Sequence, residues 1–295
     1  MSEIHPNRHG FVARARRFLK KPLREKAAAL VFGGILDVPQ PVRLSFGARW
    51  IPRDDHIGVP LQEGKFEAAE LAFVEVFLRP GMTALDIGAH NGLYSLLASK
   101  KVGPQGRVIS FEPSPRERKA LRLNLALNWS TNVSVQRMAL GSEAGEVDFY
   151  VVGGSETGCN SLRPPAVQAE TQKMRVKTIS LDEFLRRRTI QRVDFIKLDT
   201  EGAELEILRG ARKLLSAKPR PVLLVEVAEI RTAPWGYSAR EILNFMEQLE
   251  YLWFGIRPDG TLSKLQPGHD LRDTNLVAVP KEQRGAPQGA VETGS

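Results

Sequence analysis

Asp86 stands two residues before Gly88 in LDIGAHNGLYS, residues 85–95, and Gly92 follows Gly88 after three intervening residues. A glycine turn behind an apolar run lets backbone approach a ligand closely at the carboxyl edge of a sheet. A dinucleotide turn takes the form G-x-G-x-x-G and presents a helix N-terminus to pyrophosphate. Here the middle glycine is absent, and the Asp86 carboxylate would repel several phosphate charges in a partly dry crevice. A ligand with a cationic end gains from the same carboxylate. S-adenosylmethionine has that end, with an α-ammonium group, a sulfonium and no phosphate. Glu112 closes the next apolar run 20 residues after Gly92, where an acidic side chain can accept both ribose hydroxyl protons. The competing reading is an ordinary tight turn followed by an exposed glutamate.

A second group of charges lies in FIKLDTEGAE, residues 195–204. Strand alternation puts Lys197 and Asp199 on one face, and Glu201 follows at the carboxyl end before the turn at Gly202. A buried Lys197–Asp199 ion pair, with Glu204 complementing a helix dipole, is one explanation. The other is catalytic, with Asp199 or Glu201 taking the proton of an attacking hydroxyl, because an uncharged alcohol is a poor nucleophile. Glu226 ends the neighbouring run VLLVEV. With Asp199 it offers oxygen ligands of the kind that suit Mg2+, and Glu229 is an alternative.

Four further side chains are candidates for acceptor binding. Asn160 and Ser161 lie in SETGCNSL, a polar loop expected to overhang the crevice, while Trp235 and Tyr237 lie in TAPWGYS, after the fifth strand, where an aromatic face can stack on a sugar. Cys159, the only cysteine, has no motif around it and excludes an intrachain disulfide and a cysteine-based zinc cluster. A reducing compartment, hence a cytoplasmic location, is expected.

These residues need a scaffold that brings strand ends together. From about residue 82, short apolar runs alternate with segments of helical period, the pattern of a parallel sheet covered by helices. Strands are expected at 83–89, 106–113, 132–140, 193–199 and 221–227, with two more closing the chain. Helices are expected at 94–101, 115–128, 204–215 and 238–250. The alternation breaks at 146–153 and 174–180, which read as a paired-strand insertion. Ser180 and Glu183 have capping-box spacing for a helix that follows. The expected fold is a Rossmann-like, doubly wound, mostly parallel sheet of seven strands with a β-hairpin insertion. It would occupy residues 61–280, preceded by a basic extension (1–60), helical then irregular, and followed by a disordered tail (281–295).

The net charge of +8 is unevenly placed: residues 1–26 carry eight basic and two acidic residues, leaving only +2 for the other 269. An arm is basic and the body nearly neutral, so the broad cationic face that nucleic acid requires is missing. Neither N-P-P-Y nor a Pro-Cys pair is present. The arm runs into AAALVFGGIL, residues 27–36, which is too short to span a bilayer. Packing on the main domain and peripheral contact with an anionic membrane are both open to it, and Pro22 interrupts any single long helix.

The stretches GMTALDIGAHNGLYS (81–95), VISFEPSP (108–115), VSVQRMALGSEAGEVDFYV (133–151) and VDFIKLDTEGAELEILRGA (193–211) resemble the FkbM-type methyltransferases. The resemblance covers about residues 64–280. It implies a class I S-adenosylmethionine-dependent enzyme that methylates a hydroxyl group. It also implies cofactor contacts: Asp86, Gly88 and His90, with Ala89, Asn91 and Gly92 of the same turn, along the methionine part, Glu112 at the ribose, and Met138 with Ala139 around the adenine. His90 departs from the asparagine that the family often has. The resulting expectation is an O-methyltransferase acting on a sugar, glycolipid or secondary metabolite. The rivals are a nucleic-acid methyltransferase, an inactive binding module on the same fold, and an NAD-dependent oxidoreductase.

Overall fold

The computed structural model describes residues 40–53, 57–154, 156–165, 169–266 and 268–283. Most of the expected basic extension and of the C-terminal tail therefore lies outside the described residues.

The centre of the protein is an eight-stranded sheet of β3 (Thr83–Ile87), β4 (Arg107–Phe111), β5 (Val133–Gln136), β9 (Phe195–Leu198), β10 (Val222–Val227), β11 (Tyr251–Ile256), β12 (Leu262–Lys264) and β13 (Thr274–Pro280). Their order across the sheet is β12-β11-β13-β10-β9-β3-β4-β5. β3, β4, β5, β9 and β10 run parallel, and β13 runs antiparallel to both of its neighbours. The expected count of seven is thus corrected to eight. The extra strand is β12, a short antiparallel edge that returns from β11 through a turn containing Gly260.

Hydrophobic runs without alternation make the inner strands. All four residues of β9 are buried, as befits a strand covered by helices on both faces. One face packs Ile87, Phe111, Leu198 and Val225 against the helix Ala239–Gln248, and the other packs Val108, Phe195 and Leu224 against the helices Ala68–Phe77 and Leu93–Val102. The helix Leu181–Arg187 starts where the Ser180 hydroxyl accepts the Glu183 N–H, as the spacing predicts.

Three expectations change in detail. The run 132–140 is not one strand, because β5 ends at Gln136 and β6 (Ala139–Gly141) leaves for a second sheet. There β6 pairs in parallel with β8 (Thr171–Ser180), which pairs antiparallel with β7 (Gly145–Val152). The expected hairpin insertion is therefore completed by a third strand. The helix expected at 204–215 breaks into Glu204–Arg209 and Arg212–Ser216. Gly210 lies so close to β6 that a Cβ there would stand 2.1 Å from the Gly141 carbonyl oxygen.

The third change concerns the boundary at residue 61. β1 (Val42–Arg43) and β2 (Arg49–Trp50) form a small antiparallel pair whose Leu44, Ala48 and Trp50 are buried against Leu93, Leu96 and Leu121. Asn124 and Asn128 of the helix Pro115–Leu127 and its C-cap fasten this segment, accepting the backbone N–H of Ile51 and Arg49. The expected extension thus contributes folded structure to the domain from about residue 40.

Candidate functional site

The sheet order reverses between β3 and β9, one chain continuing toward β4 and the other toward β10. Such a switch point opens a crevice at the carboxyl ends of the strands. The turn after β3 shapes it. Gly88 and Gly92 take φ of +87° and +88°, and His90 between them +46°. Gly88 lies against β9: a Cβ there would stand 1.7 Å from the Asp199 carbonyl oxygen. The N–H groups of Gly88 and Ala89 both donate to the Phe111 carbonyl, locking the turn to β4.

The pocket over this edge is lined by Asp86, Gly88, Ala89, His90, Asn91, Glu112, Met138 and Ala139, and further along by Asn160, Lys197, Asp199, Glu201 and Glu226. The two acidic regions singled out in the sequence therefore meet in one cavity. Gly92 does not line it; its left-handed backbone starts the helix Leu93–Val102, and Leu121 fills the space where a Cβ would go.

Each carboxylate has a distinct setting. Asp86 accepts the Ser95 hydroxyl, which also bonds Ser110, and burial pushes its pKa up to about 6 against the pull of that hydrogen bond. Glu112 accepts the Ser114 N–H at 2.7 Å on one oxygen and the His90 N–H at 2.8 Å on the other. The two bonds fix the plane of the carboxylate and leave each oxygen a lone pair for a diol. Burial raises this group to about 8, opposed first by the Ser114 N–H.

Lys197 is 1% exposed, and its ammonium donates to Asp199 at 2.9 Å and to Asn275 at 3.2 Å. Burial works against its charge, but Asp199 and Glu67 outweigh that cost and hold its pKa above the usual lysine value. Glu201, on a left-handed backbone at φ +58°, faces Arg231 at 2.8 Å. Burial raises Glu201 to about 8, against the attraction of Arg231. Glu226 has a buried Oε2 with no hydrogen-bond partner, and burial, then Asp199 and Glu201, push its pKa well up. Glu204 turns back to accept the Thr200 N–H and hydroxyl, a structural role.

The acceptor candidates divide. Asn160 lines the pocket; its Oδ1 accepts the Val152 N–H and its Nδ2 is buried without a partner. Ser161 does not line the pocket, because its hydroxyl is spent on the Glu201 carbonyl at 2.9 Å and its backbone pairs with Tyr150. Trp235 and Tyr237 do not line it either. The Trp235 ring lies under Arg163 and against Gly202, and the Tyr237 hydroxyl donates to the Gly202 carbonyl, so both support the turn that carries Glu201. Cys159 is buried, and the pocket lining does not include it.

Sequence reasoning missed Glu67, Trp50 and Arg231, which complete the pocket walls. Arg53 beside them donates to Asn91 Oδ1 at 3.0 Å, tying the N-terminal segment to the glycine turn. No motif surrounds Glu67 or Trp50, and only the fold brings them to the crevice.

The model of the methyltransferase FkbM domain matches residues 86–252, more than half of the chain. The methyltransferase sdnD of Sordaria araneosa is 32% identical over 153 residues, which cover 43% of this chain and 59% of that protein. The hexuronic acid methyltransferase AglP of Haloferax volcanii is 28% identical over 132 residues, covering 45% of this chain and 51% of its own. The chain spans a tenth of the length of the AMB antimetabolite synthetase AmbE of Pseudomonas aeruginosa, at 26% identity over 57% of this chain. A solved structure of a methyltransferase FkbM from Methylobacillus flagellatus is 18% identical, with a TM-score of 0.44 over 77% of this chain and 56% of that one. Among the described residues, no helix is long and apolar enough to cross a membrane. By the extent of the matched domain, this chain belongs to the FkbM methyltransferase-domain family.

Proposed function

We propose that this protein is an S-adenosylmethionine-dependent O-methyltransferase that acts on a hydroxyl of a sugar, glycolipid or secondary metabolite. The observation that carries the reading is the make-up of the pocket: seven acidic side chains line it against two basic ones, Lys197 and Arg231, and a cationic ligand would draw those acids to their ionised forms. Phosphate-bearing cofactors would be repelled there, and a ligand with ammonium and sulfonium charges is favoured. When bound, S-adenosylmethionine supplies an electrophilic methyl group on sulfur. Glu112 is pre-set for the ribose diol, and Met138 and Ala139 offer apolar contact for the base. The close approach of Gly88 to β9 leaves the crevice floor to backbone.

The acceptor hydroxyl must lose its proton as its oxygen attacks. The carboxylates of Asp199, Glu201 and Glu226 surround the expected place of attack, and their oxygens lie within 4.8 Å of one another. Asp199 Oδ2 is bonded to Lys197 and Glu201 faces Arg231, whereas Glu226 Oε2 is a buried carboxylate oxygen without a hydrogen-bond partner. We assign it the proton, with Asp199 and Glu201 holding the two cations that keep the cluster near neutrality. Asn160 lines the same pocket, and its Nδ2 is a donor without a partner that suits an acceptor oxygen.

Mg2+ fits these residues poorly. The spacing of the oxygens would permit a hard cation. However, two of the three carboxylates already face a buried lysine and an arginine, and a dication would have to displace or crowd one of them. No step is assigned to a metal.

The relatives give the acceptor class its support. One is a hexuronic acid methyltransferase, and another, NoeI of Sinorhizobium fredii, is a 2-O-methyltransferase, 24% identical over 48% of this chain. The test is transfer of labelled methyl from S-adenosylmethionine into a fractionated cell extract. Label is expected in glycan, lipid or small-molecule fractions, and label confined to RNA would overturn the acceptor class.

A further inference from the structure

Glu67 lies before the matched domain, in a stretch, GKFEAAE, that carries no motif. It is nonetheless one of the most constrained residues of the pocket wall. Its backbone is left-handed, at φ +45°, where it caps the helix Ala68–Phe77. That region is strained for a non-glycine residue, and such positions cluster at ligand sites. The residue lines the pocket together with Asp86 and Lys197. Its Oε2 accepts the Tyr94 hydroxyl at 2.5 Å, and among the described residues its Oε1 takes no hydrogen bond. The Tyr94 ring that holds it also lies 5.2 Å from the Lys197 ammonium.

Asp86 and Lys197 are register partners on β3 and β9, so Lys197 sits among Asp86, Glu67 and Asp199. Its single positive charge is bonded to Asp199 at 2.9 Å. Glu67 has a neutral hydroxyl as its one bonded partner, and burial holds its carboxyl above the usual range, opposed first by Lys197. An N–H-bearing cation placed beside it would form a charge-assisted bond to Oε1 and draw the carboxyl to its ionised form. A sulfonium has no N–H, and a carboxylate would be repelled. Of the groups on the proposed cofactor, only the α-ammonium meets both requirements.

We infer that Glu67 is the ligand for the α-ammonium group of S-adenosylmethionine, contributed by a segment that precedes the matched methyltransferase domain. The inference rests on the cofactor reading above. On it, this N-terminal segment reads the amino-acid half of the cofactor, while Glu112 reads the ribose.

The test uses the full chain and the Glu67→Gln variant, which keeps an oxygen for the Tyr94 hydroxyl but removes the charge. Calorimetry measures binding of S-adenosylhomocysteine, which carries the amino-acid group, and of 5′-methylthioadenosine, which lacks it. The expected result is a loss of tenfold or more for S-adenosylhomocysteine with methylthioadenosine unchanged within twofold. Two outcomes overturn the inference: an unchanged affinity ratio, or an equal loss for both ligands, which would make Glu67 structural. If the unaltered chain binds neither S-adenosylmethionine nor S-adenosylhomocysteine, the cofactor reading itself fails and takes the inference with it.

Discussion

Gly88 and Asp199, 111 positions apart, are pressed together at the switch point, leaving 1.7 Å between the Asp199 carbonyl oxygen and any Cβ that Gly88 were to gain. The contact sets the depth of the crevice floor. Gly88→Ala would meet rigid backbone and also force an alanine to φ +87°. Stability is expected to fall by about 3 kcal/mol and cofactor binding to be lost. Urea denaturation checks the first, and a Gly88→Ala protein within 1 kcal/mol of the unaltered chain would contradict the packing described.

The Lys197–Asp199 pair makes a second prediction. Asp199→Asn removes the carboxylate bonded to a buried ammonium, and losing one member of such a pair costs about 3 to 5 kcal/mol. Adding Lys197→Met to that variant should recover much of the loss, because a well-packed apolar side chain replaces the stranded charge. Denaturation of the two variants side by side reads this directly, and a double variant no more stable than the single would count against the pair.

Glu226→Gln preserves shape and removes the proposed proton acceptor. The turnover number should drop by about 100-fold or more, within the range for loss of general-base catalysis. S-adenosylmethionine affinity should stay within about threefold, since Glu226 is assigned to the acceptor's proton and not to the cofactor. A chelator such as EDTA should leave the activity of the unaltered protein unchanged. Activity that is abolished by chelation and restored by Mg2+ would reverse the reading of the carboxylate cluster.

The pH dependence follows from the raised carboxyl groups. Asp86 (about 6), Glu204 (about 7), Glu112 and Glu201 (about 8) all bind protons more tightly in the folded than in the unfolded protein. Their contribution to stability is therefore fully present below their unfolded pKa values, near 4 to 4.5, and lost as pH rises through 6 to 8. The ligand-free protein should melt at a lower temperature at pH 8 than at pH 5.5. A cationic ligand favours the ionised forms, so the rise in Tm on adding S-adenosylmethionine should be larger at pH 8. A thermal-shift series at both pH values checks both signs.

Much of this was legible before folding. The βα alternation, the glycine turn and the acids Asp86, Glu112 and Asp199 follow from local pattern, because strand ends and turns leave marks within ten residues. The eighth strand β12 is only three residues long and has no periodicity to detect. The break at Gly210 depends on its contact with Gly141, 69 positions away, and the division of 132–140 depends on which sheet each half joins. Trp235 and Tyr237 lie in the expected loop, yet their rings turn inward to brace Gly202. Whether an aromatic residue packs or faces a ligand is decided by tertiary neighbours. Glu67 and Arg231 were invisible for the same reason.

The central claim is that the acidic crevice holds S-adenosylmethionine, and calorimetric titration of the purified chain with S-adenosylmethionine and, separately, NAD tests it most directly. Saturable one-to-one binding of S-adenosylmethionine with no heat from NAD is the predicted result. Saturable binding of NAD, or no binding of S-adenosylmethionine at millimolar concentration, would contradict the account.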